Sequence, residues 1–189
     1  MPAGRRRVYQ PVNTDLEAGY GNAAETIRRA IGAGIVGANI EDQPKPWAEA
    51  TAQVEAVMTA APAAEGVPDF VLNARTDAFL RAGDRDPVAV LADATERARA
   101  FLDAGAPVVF VPGKLDESQV AHLVDALGPQ RLTLIGVPGS LPLARLQELG
   151  VNRVSYLPWS QQVALTALAD LVEDLRDGGG LPAGTRALS

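Results

Sequence analysis

Two carboxylates stand two residues apart near the start of the chain, at Asp15 and Glu17. The surrounding residues 12–17 read VNTDLE, which indicates a short strand, and residues two apart in a strand point to the same side. Like charges placed together raise the cost of ionising each other. A divalent cation held by oxygen ligands and water would offset that cost. The pair therefore suggests a metal site, and the alternative is a solvated loop whose acids are neighbours.

Polar residues also end two later apolar stretches. Glu41 follows residues 35–40 (IVGANI), and residues 70–77 read FVLNARTD, with Asn73, Arg75 and Asp77 spaced by two. Arginine suits a planar carboxylate because its guanidinium donates two parallel hydrogen bonds. Asn73 and Asp77 share the face of Arg75 and could orient it. The alternative for Arg75 is a buried ion pair with Asp77 or Glu41.

Strand-like and helix-like stretches alternate six times along the chain. We expect the strands to be buried on both faces, in a parallel sheet covered by helices. An open doubly wound sheet and a closed barrel both fit this order, but polar residues at three strand ends favour a barrel, which focuses its strand ends on one site. A (β/α)8 barrel usually takes about 250 residues. The sequence therefore predicts an incomplete (β/α)8 TIM barrel of about six parallel strands alternating with helices.

Helix start signals and composition shifts set the predicted domain limits. Asn22 with Glu25, and Asp116 with Gln119, form capping-box patterns, and Asp86-Pro87 is a helix start. We predict a last helix that Ser160 caps, with an apolar stripe of Val163, Ala164, Ala167, Leu168, Leu171 and Leu175. The predicted organisation is a lead-in at 1–11, the partial barrel at 12–177 and a loose tail at 178–189.

The composition excludes several classes of function. The 189 residues are 47% hydrophobic, carry a formal net charge of −6 and include no cysteine. A disordered chain is excluded, and nucleic acid and membranes are poor partners for this charge and hydropathy. Thiolate metal sites and disulfides are absent, and the single histidine, His122, cannot build a zinc cluster. We expect a soluble, acidic, cytoplasmic protein.

Five stretches of the chain resemble the isocitrate lyase/phosphoenolpyruvate mutase superfamily. Their order and spacing agree with that superfamily from about residue 10 to about residue 175. The five stretches are 15–21 (DLEAGYG), 39–42 (NIED), 72–79 (LNARTDAF), 109–113 (VFVPG) and 149–155 (LGVNRVS).

The resemblance implies a barrel that binds Mg²⁺ and acts on small 2-oxo or 2-hydroxy carboxylates. By that resemblance Asp15 is the main magnesium ligand, Glu17 and Glu41 hold its waters, and Arg75 binds the carboxylate or phosphonate end of the substrate. Breaking a C–C or C–P bond beside a carbonyl leaves an enolate, whose charge the metal stabilises. Asp15, Glu41 and Arg75 are thus the candidate catalytic residues.

Two further residues are candidates for substrate binding. Asn73 lies beside Arg75, and Tyr20 either lines the pocket or packs over the barrel rim. The predicted function is a Mg²⁺-dependent lyase or mutase whose partner is a small carboxylate, with a homo-oligomer as an allowed assembly. The alternative is a non-catalytic fragment or a decayed paralogue of that family.

The chain also departs from the superfamily pattern. Members carry two further strand–helix units before the aspartate strand, and we expect these to be missing here. The stretch after Glu41, residues 43–47 (QPKPW), is short and has no cysteine, so a lyase mechanism with a cysteine acid is excluded and Lys45 is a weak gate candidate. We expect too little sequence after Leu175 for the superfamily's swapped C-terminal helix.

Overall fold

Strands and helices alternate strictly in the computed structural model, which describes residues 11–43, 45–60, 66–156 and 158–187. Most of the predicted lead-in lies outside these ranges, and residues 178–187 of the predicted tail form neither helix nor strand. The elements are β1 (Asn13–Asp15), α1 (Ala23–Gly32), β2 (Gly37–Glu41), α2 (Trp47–Ala60), β3 (Val71–Arg75), α3 (Pro87–Asp103), β4 (Val108–Phe110), α4 (Glu117–Leu127), β5 (Leu132–Ile135), α5 (Leu143–Leu149), β6 (Arg153–Ser155) and α6 (Trp159–Arg176).

The strands form one parallel sheet in the order β1-β2-β3-β4-β5-β6. A doubly wound sheet reverses its strand order at a switch point, whereas a barrel adds each strand beside the previous one. The sequential order therefore identifies a half-barrel. This confirms the predicted incomplete (β/α) barrel and excludes the open doubly wound alternative.

The two faces of the sheet differ in chemistry. On the helix side, the strands present apolar residues with almost no exposure, including Ile40, Leu72, Val109 and Leu132. The alternate residues face the concave side and are mostly polar, because successive strand side chains point to opposite faces. The prediction of strands buried on both faces is wrong here, since Val71 on the concave face is 43% exposed.

Three helices begin where the capping signals predict. The Asn22 side chain accepts from the Glu25 backbone N–H at 3.1 Å, and Asp86 accepts from the N–H groups of Val88 and Ala89 with Pro87 at the first helical position. At α4 the box is complete, with Asp116 and Gln119 each bonded to the other's backbone N–H. Such caps satisfy donors that the first turn of a helix leaves unpaired.

The helix α6 does not pack as its sequence suggests. It begins after Pro158 rather than Ser160, and none of its residues is buried. Val163 and Leu168 are both more than half exposed, so the apolar stripe faces outwards along much of the helix. Within the described ranges, no helix combines the length and hydropathy that crossing a membrane requires.

Candidate active site

A cleft of about 190 Å³ opens on the concave face of the half-barrel. Because the strands are parallel, their carboxyl-terminal ends all lie at the same edge of the sheet. The residues that line the cleft come from all six strands and from the segments after β3 and β4: Asn13, Thr14, Asp15, Asn39, Arg75, Leu80, Phe110, Pro112, Ile135, Arg153 and Ser155.

Arg75, the last residue of β3, contacts three carboxylates. Its Nε donates to Asp77 Oδ1 at 2.7 Å, and its Nη1 lies 3.0 Å from Glu41 Oε2 and 3.9 Å from Asp15 Oδ2. The guanidinium also sits 5.8 Å from the centre of the Phe110 ring, within the range of a cation–π contact. The ion pairs of Arg75 with Glu41 and Asp77, which the sequence offered as an alternative to substrate binding, are therefore present.

These contacts shift the pKa values of both sides of the cluster. Burial alone would lower the pKa of Arg75, but the hydrogen bond to Asp77 and the charges of Asp77, Glu41 and Asp15 outweigh it and raise that pKa. Burial raises the pKa of Glu41. The charge of Arg75 opposes that rise and the charge of Asp77 adds to it. The guanidinium is thus the cation around which the carboxylates of Asp15, Glu41 and Asp77 gather.

A ladder of amides holds Asp15 in place. Asp15 Oδ1 accepts from the Glu17 backbone N–H at 3.0 Å, and its Oδ2 accepts from Asn39 Nδ2 at 3.2 Å. Asn39 Oδ1 in turn accepts from Asn73 Nδ2 at 2.8 Å. Asp15, Asn39 and Asn73 occupy matched positions on three adjacent strands, which explains why the three side chains meet. The buried Asn73 Oδ1 has no hydrogen-bond partner among the described residues.

A buried ion pair between Asp42 and Arg97 contacts Asp77, the residue that hydrogen-bonds Arg75. Asp42 follows β2, and its Oδ1 accepts from the Asp77 backbone N–H at 3.0 Å. Its Oδ2 lies 3.2 Å from Nη1 of Arg97, on α3, and the Asp42 side chain is only 3% exposed. Sequence reasoning gave no role to Asn39, Asp42 or Arg97. The first two lie inside a matched stretch, but the contact of Arg97 with Asp42 carries no local signal because the two residues are 55 positions apart.

The turn after β1 places two predicted site residues at the surface. Glu17 and Tyr20 both adopt left-handed backbone conformations, with φ of 49° and 51°, which are uncommon for residues other than glycine. The Glu17 side chain is exposed, and Tyr20 is 66% exposed and is not among the cleft-lining residues. The structure therefore brings together Asp15, Glu41, Asn73 and Arg75, and it leaves Glu17 and Tyr20 at the rim.

Asp15 and Glu41 are the two carboxylates near this cleft that could hold a hydrated cation. They lie 3.9 Å and 3.0 Å from the same nitrogen of Arg75, so the two carboxylates are close to each other. Among the residues with described positions, no group of three or more His, Cys, Asp or Glu side chains is placed to hold a metal ion. Mg²⁺ commonly takes one or two carboxylates and keeps several waters, which is what two oxygen donors and an open cleft can offer.

Fold and site together define a class of protein: a partial (β/α) barrel whose polar residues gather at the carboxyl ends of its strands, as in barrel enzymes. The model of the phosphoenolpyruvate phosphomutase family matches residues 4–176. The chain therefore belongs to this family, within the isocitrate lyase/phosphoenolpyruvate mutase superfamily.

Relatives of known name are similar over most of this chain. It is 30% identical over 182 residues to 2,3-dimethylmalate lyase of Eubacterium barkeri, covering 88% of this chain and 61% of the relative. It is 33% identical over 152 residues to 2-methylisocitrate lyase of Escherichia coli K12, covering 74% of this chain and 49% of the relative. The chain thus spans about half to three fifths of the length of these relatives.

Solved structures show the same likeness. The structure of oxaloacetate acetylhydrolase in complex with the product oxalate superposes with a TM-score of 0.75 at 28% identity. The match covers 96% of this chain and 65% of that chain. The likeness therefore extends over nearly all of this chain.

Proposed function

We propose that this protein is a Mg²⁺-dependent lyase or mutase that acts on a small 2-oxo or 2-hydroxy carboxylate. The observation that carries the proposal is the meeting of Asp15, Glu41 and Arg75 at the ends of three adjacent strands. Two carboxylates for a cation and one guanidinium for an acid are the parts that such chemistry needs. The names of the lyase relatives support the reaction class.

Asp15 and Glu41 would hold the magnesium ion. Asp15 is the direct ligand in this proposal, because hydrogen bonds from Glu17 N–H and Asn39 already fix its carboxylate. Glu41 would contact the ion through water, and the exposed Glu17 would contribute a weaker outer contact. When bound, Mg²⁺ supplies positive charge that stabilises the negative charge developing beside the substrate carbonyl.

Arg75 would bind the acidic end of the substrate. The Nε of Arg75 donates to Asp77, and its Nη1 lies near Glu41 and Asp15. These contacts leave the Nη2 of Arg75 to donate to a substrate carboxylate. Asp77 restrains the guanidinium and keeps its plane fixed. The buried amide of Asn73 donates a hydrogen bond to Asn39, and Asn39 donates one to Asp15. This chain of hydrogen bonds would fix the position of the proposed metal ligand.

The test is an assay of the full chain against acids of the class that the relatives' names indicate. We would supply 2,3-dimethylmalate, 2-methylisocitrate, oxaloacetate and phosphoenolpyruvate, each with Mg²⁺ and with EDTA. We expect turnover of at least one acid that requires Mg²⁺ and is lost in Arg75→Gln. As a control, Arg131→Gln, outside the cleft, should retain activity. Metal-independent turnover, or no turnover of any acid, would contradict the proposal, and the latter would favour a non-catalytic relative.

A further inference from the structure

A second arginine lines the same cleft as Arg75. Arg153 is the first residue of β6 and pairs in register with Thr133. Thr133 is aligned through Phe110 with Arg75 on β3. Residues at matched positions of neighbouring parallel strands point to the same face of the sheet. The two guanidinium-bearing side chains therefore start from the same concave face, and both residues line the cleft.

The two arginines differ in their partners. Arg75 is surrounded by Asp15, Glu41 and Asp77. In contrast, no carboxylate of the described residues pairs with Arg153, which is exposed. The cleft-lining residue nearest to it along its own strand, Ser155, is neutral. A guanidinium that faces a cleft without a carboxylate is suited to bind an anion from solution, because it offers several donors in one plane.

The spacing of the two strands suits a small ligand. Three interstrand steps of about 4.8 Å each separate β3 from β6 along the sheet. The sheet is curved as in a barrel, so side chains on its concave face converge. The cleft that both arginines line has a volume of about 190 Å³, which is enough for an acid of a few carbons.

We propose that Arg153 is a second anion-binding residue that makes the site selective for substrates with two acidic groups. The inference rests on the proposed function, in which Arg75 and the metal ligands bind the first group. Arg153 would bind the second, remote carboxylate or phosphonate. It would contribute to affinity for diacids and add nothing for acids that lack the second group.

The test compares two stable 2-hydroxy acids that differ in the second carboxylate. L-malate carries two carboxylates and L-lactate carries one. Their dissociation constants would be measured calorimetrically on the full chain with Mg²⁺ present, for the wild type, Arg153→Gln and Arg153→Lys. Arg131→Gln serves as the control, since it removes the same charge at a position outside the cleft.

We expect Arg153→Gln to weaken malate binding by about tenfold to a hundredfold, the range for one charge-assisted contact. Lactate binding should stay unchanged, Arg153→Lys should recover part of the malate affinity, and Arg131→Gln should behave as wild type. If Arg153→Gln weakens malate and lactate binding equally, Arg153 has no such role. The same conclusion follows if Arg153→Gln weakens the binding of neither acid while Asp15→Ala still does. If the wild type binds neither acid, the proposed function itself fails and this inference falls with it.

Discussion

Asp77 restrains Arg75 from the buried side of the cleft: Arg75 Nε donates to Asp77 Oδ1 at 2.7 Å, and the Asp77 side chain is 5% exposed. A charge-assisted bond to a buried acid fixes the plane of a guanidinium more firmly than exposed contacts can. The orientation of the proposed substrate-binding group is therefore set by a residue that the substrate need not touch.

Removing the charge of Asp77 should weaken catalysis through Arg75. We expect Asp77→Asn to lower kcat/KM for the preferred acid by about tenfold or more, because a charge-assisted hydrogen bond is replaced by a neutral one. Steady-state kinetics would measure this change. Arg81→Gln is the control, since its Nε lies 3.8 Å from Asp77 Oδ2 and its side chain is half exposed. An unaltered kcat/KM in Asp77→Asn would show that Arg75 needs no such restraint.

Removing Arg97 should destabilise the fold. Asp42 is almost completely buried and its side chain has Arg97 as an ion-pair partner. Arg97→Leu would leave that carboxylate charged and uncompensated, which costs about 3–5 kcal/mol when a buried pair is broken. Urea unfolding would measure the loss. Arg145→Leu, which removes exposed contacts with Glu117 and Glu148, should change stability little, and an equal loss in both variants would contradict the burial argument.

Asp93 makes part of the stability depend on pH. Burial alone would raise its pKa, but hydrogen bonds from Arg97 and Arg85 outweigh it and hold the pKa below the ordinary 3.8. A carboxyl with a depressed folded-state pKa stabilises the fold above its unfolded pKa, and this contribution is lost as pH falls through the folded value. Wild type should therefore be more stable than Asp93→Asn at pH 7, by about 1 kcal/mol. Denaturation at a series of pH values should show this difference shrinking below pH 3.8, and a difference that is constant with pH would contradict the assignment.

The exposed apolar stripe of α6 should promote self-association. Four apolar residues of α6, spaced three or four apart, are about half exposed: Leu165, Leu168, Val172 and Leu175. Residues at this spacing share one face of a helix, and exposed apolar surface of this kind marks interaction sites. We expect light scattering to give a mass above that of the monomer for wild type and a lower mass for Leu168→Glu. Gln162→Glu adds the same charge at another exposed position of α6 and should leave the wild-type mass. A monomeric wild type would contradict this prediction.

Local signals in the sequence were enough to predict the element order, the half-barrel and the meeting of Asp15, Glu41 and Arg75. Capping residues such as Asp86 and Asp116 act within four residues, so their effects can be seen in the sequence. The contacts of Asn39 with Asn73 and of Arg97 with Asp42 could not be predicted in this way, because each depends on a side chain from a distant element. The apolar stripe of α6 predicted a helix correctly, but amphipathicity does not say which surface the helix meets.

The exposure of Glu17 also could not be predicted from its spacing. Strand alternation would place it beside Asp15, but β1 ends at Asp15 and Glu17 has a left-handed backbone conformation. Its backbone N–H bonds Asp15, so Glu17 supports the site through its backbone in addition to the outer contact that we propose for its carboxylate.

A measurement of magnesium binding by Asp15 tests the proposed Mg²⁺-dependent function most directly. A ligand that binds only the folded state stabilises it by about 2.7 kcal/mol at one hundred times its dissociation constant. Denaturant unfolding with and without Mg²⁺ should therefore show stabilisation of the wild type, a reduced response in Glu17→Gln and none in Asp15→Ala. If Asp15→Ala and wild type gain the same stability from Mg²⁺, or if neither gains any, the cleft is not a magnesium site and the proposed chemistry is wrong.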